Sequence, residues 1–160
     1  MLAQLSIRDI VLIDRLDLSF REGLSVLTGE TGAGKSILLD GFALALGGRG
    51  DGSLVRHGEA QGQVSAVFDL PLDHAARKLA EAQAIDTDGD LILRRVQYAD
   101  GRTRAFVNDQ PVSVQILRSI GSAIVEIHGQ HDDRALTDPA QHRALLDGFG
   151  GLEGQAQDVA

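Results

Sequence analysis

The run Gly29-Glu30-Thr31-Gly32-Ala33-Gly34-Lys35-Ser36 constrains this chain more than any other feature, because of what flanks it. Before it stands a short apolar stretch, Leu24-Ser25-Val26-Leu27-Thr28, and after it comes Ile37-Leu38-Leu39-Asp40-Gly41-Phe42-Ala43-Leu44-Ala45-Leu46. The first has the composition of a strand and the second that of a buried helix. Strand, glycine-rich loop and helix in that order form a phosphate loop. Glycines let the backbone curl around a di- or triphosphate so that amide hydrogens point inward, at the positive end of a helix dipole. Lys35 is placed to reach the β- and γ-phosphates, and Ser36 to offer its hydroxyl to Mg²⁺. The pattern is a complete Walker A motif, so a bound nucleoside triphosphate is expected.

With 160 residues, 43% of them apolar, the chain is large enough for one domain with a core of its own. It has no cysteine, hence no disulfide framework and no thiolate metal site. No apolar run approaches the ~20 residues of a membrane span. The start, Met1-Leu2-Ala3-Gln4-Leu5, lacks the basic opening and long apolar centre of a signal peptide, so a soluble, cytoplasmic protein is expected. The net charge of −8 argues against a surface that coats nucleic acid throughout. The charge is uneven, however. Residues 91–118 carry Arg94, Arg95, Arg102, Arg104 and Arg118 against Asp100 and Asp109, a local balance of +3 that leaves −11 for the rest. Such a local patch is compatible with a weak or shared nucleic-acid contact.

Along the chain, Leu5 to Ile13 and Leu16 to Phe20 read as strands, the second with Leu16, Leu18 and Phe20 on one face. The glycine-dense segment from Gly47 to Gly52 stops the helix after the phosphate loop and is expected to be mobile unless a ligand orders it. Val64 to Leu70 reads as a strand and the alanine-rich segment Pro71 to Ala84 as a short helix. Leu91 to Gln97 and Arg104 to Val107 form a hairpin through Asp100-Gly101. Asn108-Asp109-Gln110-Pro111 turns the chain into a helix from Ser113 to Ile120. Ser122 to Ile127 reads as a further apolar strand, ending in the polar loop His128-Gly129-Gln130-His131-Asp132-Asp133-Arg134. A helix starts near Pro139 and is diluted by glycines beyond Gly148.

Taken together, the N-terminal strand pair, Gly29 to Ser36, Val55-Arg56-His57-Gly58, the strand meander and Glu126-Ile127-His128-Gly129-Gln130-His131 resemble the RecN family of bacterial DNA-repair ATPases. These are relatives of the structural-maintenance-of-chromosomes (SMC) ATPases. The opening Ile7-Arg8-Asp9-Ile10-Val11-Leu12-Ile13-Asp14 and the His-Gly-Gln-His loop are closer to RecN than to its cousins, and the resemblance runs from about residue 2 to 147. It implies an α/β fold: a P-loop ATPase head of the ABC/SMC type, here its N-terminal lobe with an antiparallel β subdomain. Residues 1–138 would be the N-terminal half of that head, and 139–160 the start of a helix leading toward a coiled coil.

What the resemblance carries for the site goes residue by residue. Gly29, Glu30, Thr31, Gly32, Ala33, Gly34, Lys35 and Ser36 would hold the phosphates of ATP, with Ser36 on Mg²⁺. Gln130 looks like the Q-loop glutamine, which touches Mg²⁺ or the attacking water and senses the γ-phosphate. A neutral amide suits that role because it accepts from water and donates to a phosphate oxygen without adding charge. Arg56 lies where related heads place an arginine near the nucleotide, able to neutralise developing phosphate charge. Two parts of the family's machinery are not found. No apolar strand ending in Asp-Glu follows residue 130, and no Ser-Gly-Gly occurs in the sequence. In the family both lie on a C-terminal segment beyond a long coiled coil. The chain therefore looks like half of a head, expected alone to bind nucleotide weakly and hydrolyse almost none. Its implied partners are the C-terminal half of the same head, a second head in an ATP-dependent homodimer, and DNA; its implied place is the bacterial cytoplasm, on the nucleoid after DNA damage.

Other readings compete with this one. A self-contained P-loop kinase or NTPase would need its own metal ligand, for example Asp132 or Asp133. A non-catalytic assembly module would bind nucleotide and join partners without turnover. His128, His131 and His142 have no matching metal motif, so hydrogen-bonded loop histidines are the ordinary reading. The acids at 69–90 fail the twelve-residue calcium pattern. The arginines at 94–104 read as a solvated face, because no interleaved aromatics offer a stacking platform.

Overall fold

The computed structural model describes residues 1–28, 33–127 and 149–150. The chain divides into two units, Met1–Val125 and Glu126–Ala160, and all the strands and helices that follow belong to the first. Strands β1 (Leu2–Ile10) and β2 (Ile13–Ser19) form a hairpin that reverses at Val11-Leu12, so the apolar run to Ile13 is two strands rather than one. The cause is local. Leu5 and Ile7 face the core, and strict alternation would send the Asp9 carboxylate in after them. Asp9 instead adopts a left-handed backbone (φ 49°), which breaks the alternation and buries Ile10 in its place. Gly62 in the neighbouring strand makes room, since a Cβ there would lie 2.3 Å from the Asp9 carbonyl oxygen.

Helix α1 (Ala33–Ala45) follows the phosphate loop. Then come β3 (Gln61–Phe68), α2 (Ala75–Glu81), β4 (Leu91–Tyr98), β5 (Thr103–Val107), β6 (Gln110–Val112) and α3 (Val114–Ser122). The six strands make one antiparallel sheet in the order β2-β1-β3-β4-β5-β6. Its inner face is built by period-two alternation: Leu5 and Ile7, Val64, Ala66 and Phe68, Leu91 and Leu93, Ala105 and Val107. Helix α1 packs against β1, β3 and β4, while α3 packs against β5 and α2. Each large side chain buried there contributes about 1.5–3 kcal/mol relative to exposure.

Turn chemistry sets the register. Gly101 (φ 89°) closes the Asp100-Gly101 turn between β4 and β5, as expected. Asn108 and Asp109 both have positive φ, the geometry of a two-residue hairpin loop, and this loop adds the short strand β6 that the sequence reading missed. Ser113 then caps α3, its Oγ accepting from the Ile116 N–H at 3.2 Å. Arg77 of α2 is buried without a carboxylate partner among the described residues. It donates instead to the carbonyls of Leu70, Pro71, Thr87 and Gly89, tying together the two segments that flank its helix.

Two expectations are corrected, and one segment gains a structural description. That segment is Gly47 to Gly52, whose backbone is tied into the fold by cap and turn hydrogen bonds. Gly47 (φ 87°) terminates α1 with Gly47 N–H donating to Leu44 O and Gly48 N–H to Ala43 O, the pairing of a Schellman cap. A one-turn 3₁₀ helix at Gly52–Leu54 follows, capped by the Asp51 side chain, and Val55 pairs with Ile10. The first correction is that residues 24–28 are not a strand, and Leu24 and Val26 are 95% and 73% exposed. The second is that Ser122 ends α3, and residues 123–127 form no strand. The two share one cause. An apolar stretch becomes a strand only when a neighbouring ladder takes its N–H and C=O groups, and among the described residues none pairs with either segment. Helix α1 is likewise buried only in its second half, with Leu39 half-exposed.

Candidate nucleotide-binding site

The site is built on the first turn of α1. Alanine, leucine and lysine favour helix here, and Gly34, Lys35 and Ser36 sit in that first turn, all exposed. The first four N–H groups of any helix lack intrahelical acceptors and carry its positive partial charge. No acidic residue occupies this turn to take up its N–H groups or repel an anion, and among the described residues nothing lies within 4 Å of where a Cβ on Gly34 would stand. An exposed, acid-free helix start bearing a lysine and a serine fits a phosphate group with its divalent cation. Gly29, Glu30, Thr31 and Gly32 lie outside the described residues, as does the side chain of Ala33.

Arg56 follows the Ile10–Val55 bridge. Its N–H donates to the Asp9 carbonyl at 2.9 Å, and its guanidinium lies 3.7 Å from the Asp9 carboxylate and 3.3 Å from that of Asp14. It is therefore held against the β1–β2 hairpin. Half-exposed pairs at such separations are worth about 0–1 kcal/mol, so they are readily exchanged for a more highly charged phosphate. Gln130, Asp132, Asp133 and the three histidines at 128, 131 and 142 lie outside the described residues.

The arginine-rich hairpin differs from its sequence reading in two respects. Arg95 is not on the surface. It points into the core at 3% exposure, where burial lowers its pKa and its Nε donates to Thr103 Oγ1 at 2.5 Å. Gln97 is buried beside it on the same face of β4, donating to the carbonyls of Tyr98 and Arg102. The outer face does have interleaved aromatics. Arg94 lies over the Phe106 ring at 4.2 Å, and Arg102 and Arg104 lie 5.4 and 6.0 Å from the centre of the Tyr98 ring. Period-two counting from Arg94 reaches Tyr98, which was the available signal; the Phe106 contact needed the cross-strand register.

A Walker A sequence running into an exposed helix start, on an antiparallel sheet, defines a P-loop nucleotide-binding domain. The chain belongs to the AAA domain family, whose family model matches residues 4–137. It is 45% identical over 152 residues to the DNA repair protein RecN of Halalkalibacterium halodurans, and 43% identical over 154 residues to that of Bacillus subtilis. These alignments take in 94% and 96% of this chain but 27% of each relative, so the chain spans about a quarter of the length of the curated relatives it matches. Among solved structures, the Smc head domain with an extended coiled coil bound to the C-terminal domain of ScpA, from Pyrococcus furiosus, superposes with a TM-score of 0.69 at 20% identity. That match covers 98% of this chain and 43% of the other. The recombination mediator RecF with ATP gives 0.60 at 18% identity, over 95% and 39%. At such identities the likeness is one of fold, and the fold is that of the N-terminal lobe of an SMC-type head, as the resemblance implied.

Proposed function

We propose that this chain is the ATP-binding half of a RecN-like ATPase head that acts in bacterial DNA double-strand break repair, with ATP binding and hydrolysis driving engagement and release of two heads. The observation that carries this is the Walker A turn at the start of α1, exposed on a lobe with the SMC-type fold and 45% identical to RecN. In this reading Gly29 to Gly34 wrap the phosphates with backbone amides, and Lys35 neutralises the β- and γ-phosphates. Ser36 and Gln130 hold Mg²⁺, which supplies charge neutralisation on the phosphates when bound. Arg56 leaves Asp9 and Asp14 for the nucleotide. The metal-binding aspartate, the glutamate that polarises water and the signature loop come from the C-terminal half of the head and from the partner head.

The unpaired apolar segments support that division. Leu24, Val26 and Leu27 are exposed beside the phosphate loop, and Leu39 of α1 adds to them. The C-terminal half of the head would add the strands that pair with 24–28 and cover this face. Residues 139–160 would lead into the coiled coil, and the protein would work in the cytoplasm on the nucleoid.

The test is Mg²⁺-ATP hydrolysis and dimerisation by the chain alone and with the C-terminal half added, with Lys35→Ala as control. Negligible turnover alone, restored by the added half and abolished by Lys35→Ala together with ATP-driven dimerisation, is expected. Lys35-dependent turnover by the chain alone, or dimerisation unchanged in Lys35→Ala, would overturn the reading.

A further inference from the structure

We infer that the outer face of the β4–β5 hairpin is a binding surface for the phosphate backbone of duplex DNA, formed by Arg94, Arg102 and Arg104 on a scaffold of Tyr98 and Phe106. The choice of DNA as the polyanion rests on the repair reading above; the surface itself follows from the fold. Period-two alternation puts Leu93, Arg95, Gln97, Ala105 and Val107 on the buried side of the two strands. Arg94, Tyr98, Arg104 and Phe106 are thereby left together on the other, with Arg94 directly opposite Phe106 in the register. Two shallow depressions of about 460 and 480 Å³ adjoin these side chains, sharing Thr103 and Arg104 in their walls, the first with Tyr98 and Arg102 and the second with Phe106.

The ring contacts decide what the surface recognises. A guanidinium 4.2 Å above the Phe106 ring covers one face of it, and two more lie within cation–π reach of Tyr98, so both rings are already engaged by cations rather than standing free as platforms for bases. They act instead on the arginines. The close contact on Phe106 restrains the Arg94 fork, and the longer ones on Tyr98 draw Arg102 and Arg104 toward a shared ring, which lowers the rotamer entropy lost when their N–H groups meet a phosphate. Two of the three forks carry a carboxylate, Arg94 with Asp109 and Arg102 with Asp100, each at 2.7 Å. Both pairs are partly or largely exposed, and a guanidinium with five donors keeps several for a second acceptor. Among the described residues Arg104 has no carboxylate partner, and it stands between the two depressions. On a chain of net charge −8 this cationic face is a local exception, which suits a contact shared with other parts of a larger assembly.

Fluorescence anisotropy of the full chain with a short labelled duplex, titrated at several salt concentrations between about 50 and 200 mM, tests this. The triple variant Arg94→Ala/Arg102→Ala/Arg104→Ala is expected to bind at least about tenfold more weakly, with the log–log salt slope reduced by about 0.9 for each phosphate that is no longer neutralised. Arg15→Ala, an equal charge change per residue on the exposed far edge of the sheet, is expected to leave both unchanged. The triple lysine variant keeps the charge but loses the stacked forks; it is expected to retain the slope at reduced affinity, and it covers the case in which the alanine variant folds poorly. An unchanged triple alanine variant, or an equal loss per charge in Arg15→Ala, overturns the proposal. Tighter binding to a single strand than to the duplex, or equal competition by polyglutamate, overturns it in favour of base stacking or an acidic protein partner. ATP binding measured on the same variants separates the two readings. Loss of DNA binding with ATP binding intact supports this surface, whereas a wild-type chain that binds ATP but no duplex removes this proposal alone.

Discussion

Replacing Gly47 by alanine tests how α1 is locked to the rest of the lobe. Two costs are added. Alanine at φ 87° sits in a region that L residues avoid, at about 1–2 kcal/mol. Its Cβ would also lie 2.6 Å from both the Cα and the N of Arg118, backbone atoms of α3 that cannot swing aside. Overpacking of that kind costs about 1–3 kcal/mol. The sum, about 3.5 kcal/mol, corresponds to a fall in Tm of about 10 °C at the ~3 °C per kcal/mol expected for a domain of this size. Gly58→Ala is the internal comparison. Its φ is 92°, almost the same, but its Cβ would meet nothing within 4 Å, so only the backbone term remains, about 1.5 kcal/mol and about 5 °C. Thermal unfolding followed by far-UV circular dichroism on both variants measures the difference. ATP affinity of the folded Gly47→Ala chain should change little, because the phosphate-binding turn lies at the other end of a 13-residue helix, about 20 Å away. A Gly47→Ala variant no less stable than Gly58→Ala would refute the packing argument.

The exposed segment before the phosphate loop predicts a separation of effects. Val26→Asp should move the Tm of the chain alone by no more than about 2 °C, since Val26 is 73% exposed and changes at such sites are worth within about 0.5 kcal/mol. The same substitution should prevent co-purification with the C-terminal half of the head; a complex that survives it would show that this face is not the joint. Acid behaviour follows from Asp51, whose carboxyl is held below the usual carboxylate range by the hydroxyl and then the N–H of Ser53. A folded pKa below the unfolded value near 3.8 contributes stability that is fully present above that value and is lost as pH falls through the lower, folded one. Asp51→Asn should therefore flatten the fall of the urea midpoint below about pH 4. An unaltered pH profile in that variant would remove Asp51 from the account.

Much of this lobe was legible because its rules are local. The Walker A motif announces itself since phosphate is recognised by backbone amides and a helix start, which neighbouring residues suffice to make. The Asp100-Gly101 hairpin, the alternation of Leu16, Leu18 and Phe20, and the helix beginning after Ser113 belong to the same class, each set by a turn, a cap or a period within a few residues. The fold of the SMC-type lobe and its kinship with RecN were likewise readable from the motifs and their order.

Tertiary structure alone decided the rest, and in each case the deciding atoms come from elsewhere in the chain. Asp9 leaves the core because Gly62 makes space for its carbonyl, and Gly47, Gly50 and Gly52 are closely packed because Arg118, Gln97 and Ala99 lie where they do. Arg95 and Arg94 are adjacent arginines with the same sequence preferences, yet the pleat of β4 buries one and stacks the other on Phe106. The apolar segments at 24–28 and 123–127 show the reverse. Their composition is that of strands, but a strand is completed by hydrogen bonds from a neighbour, and no neighbour pairs with them among the described residues. Composition sets what a segment can bury; only its surroundings supply the partners that make it a strand.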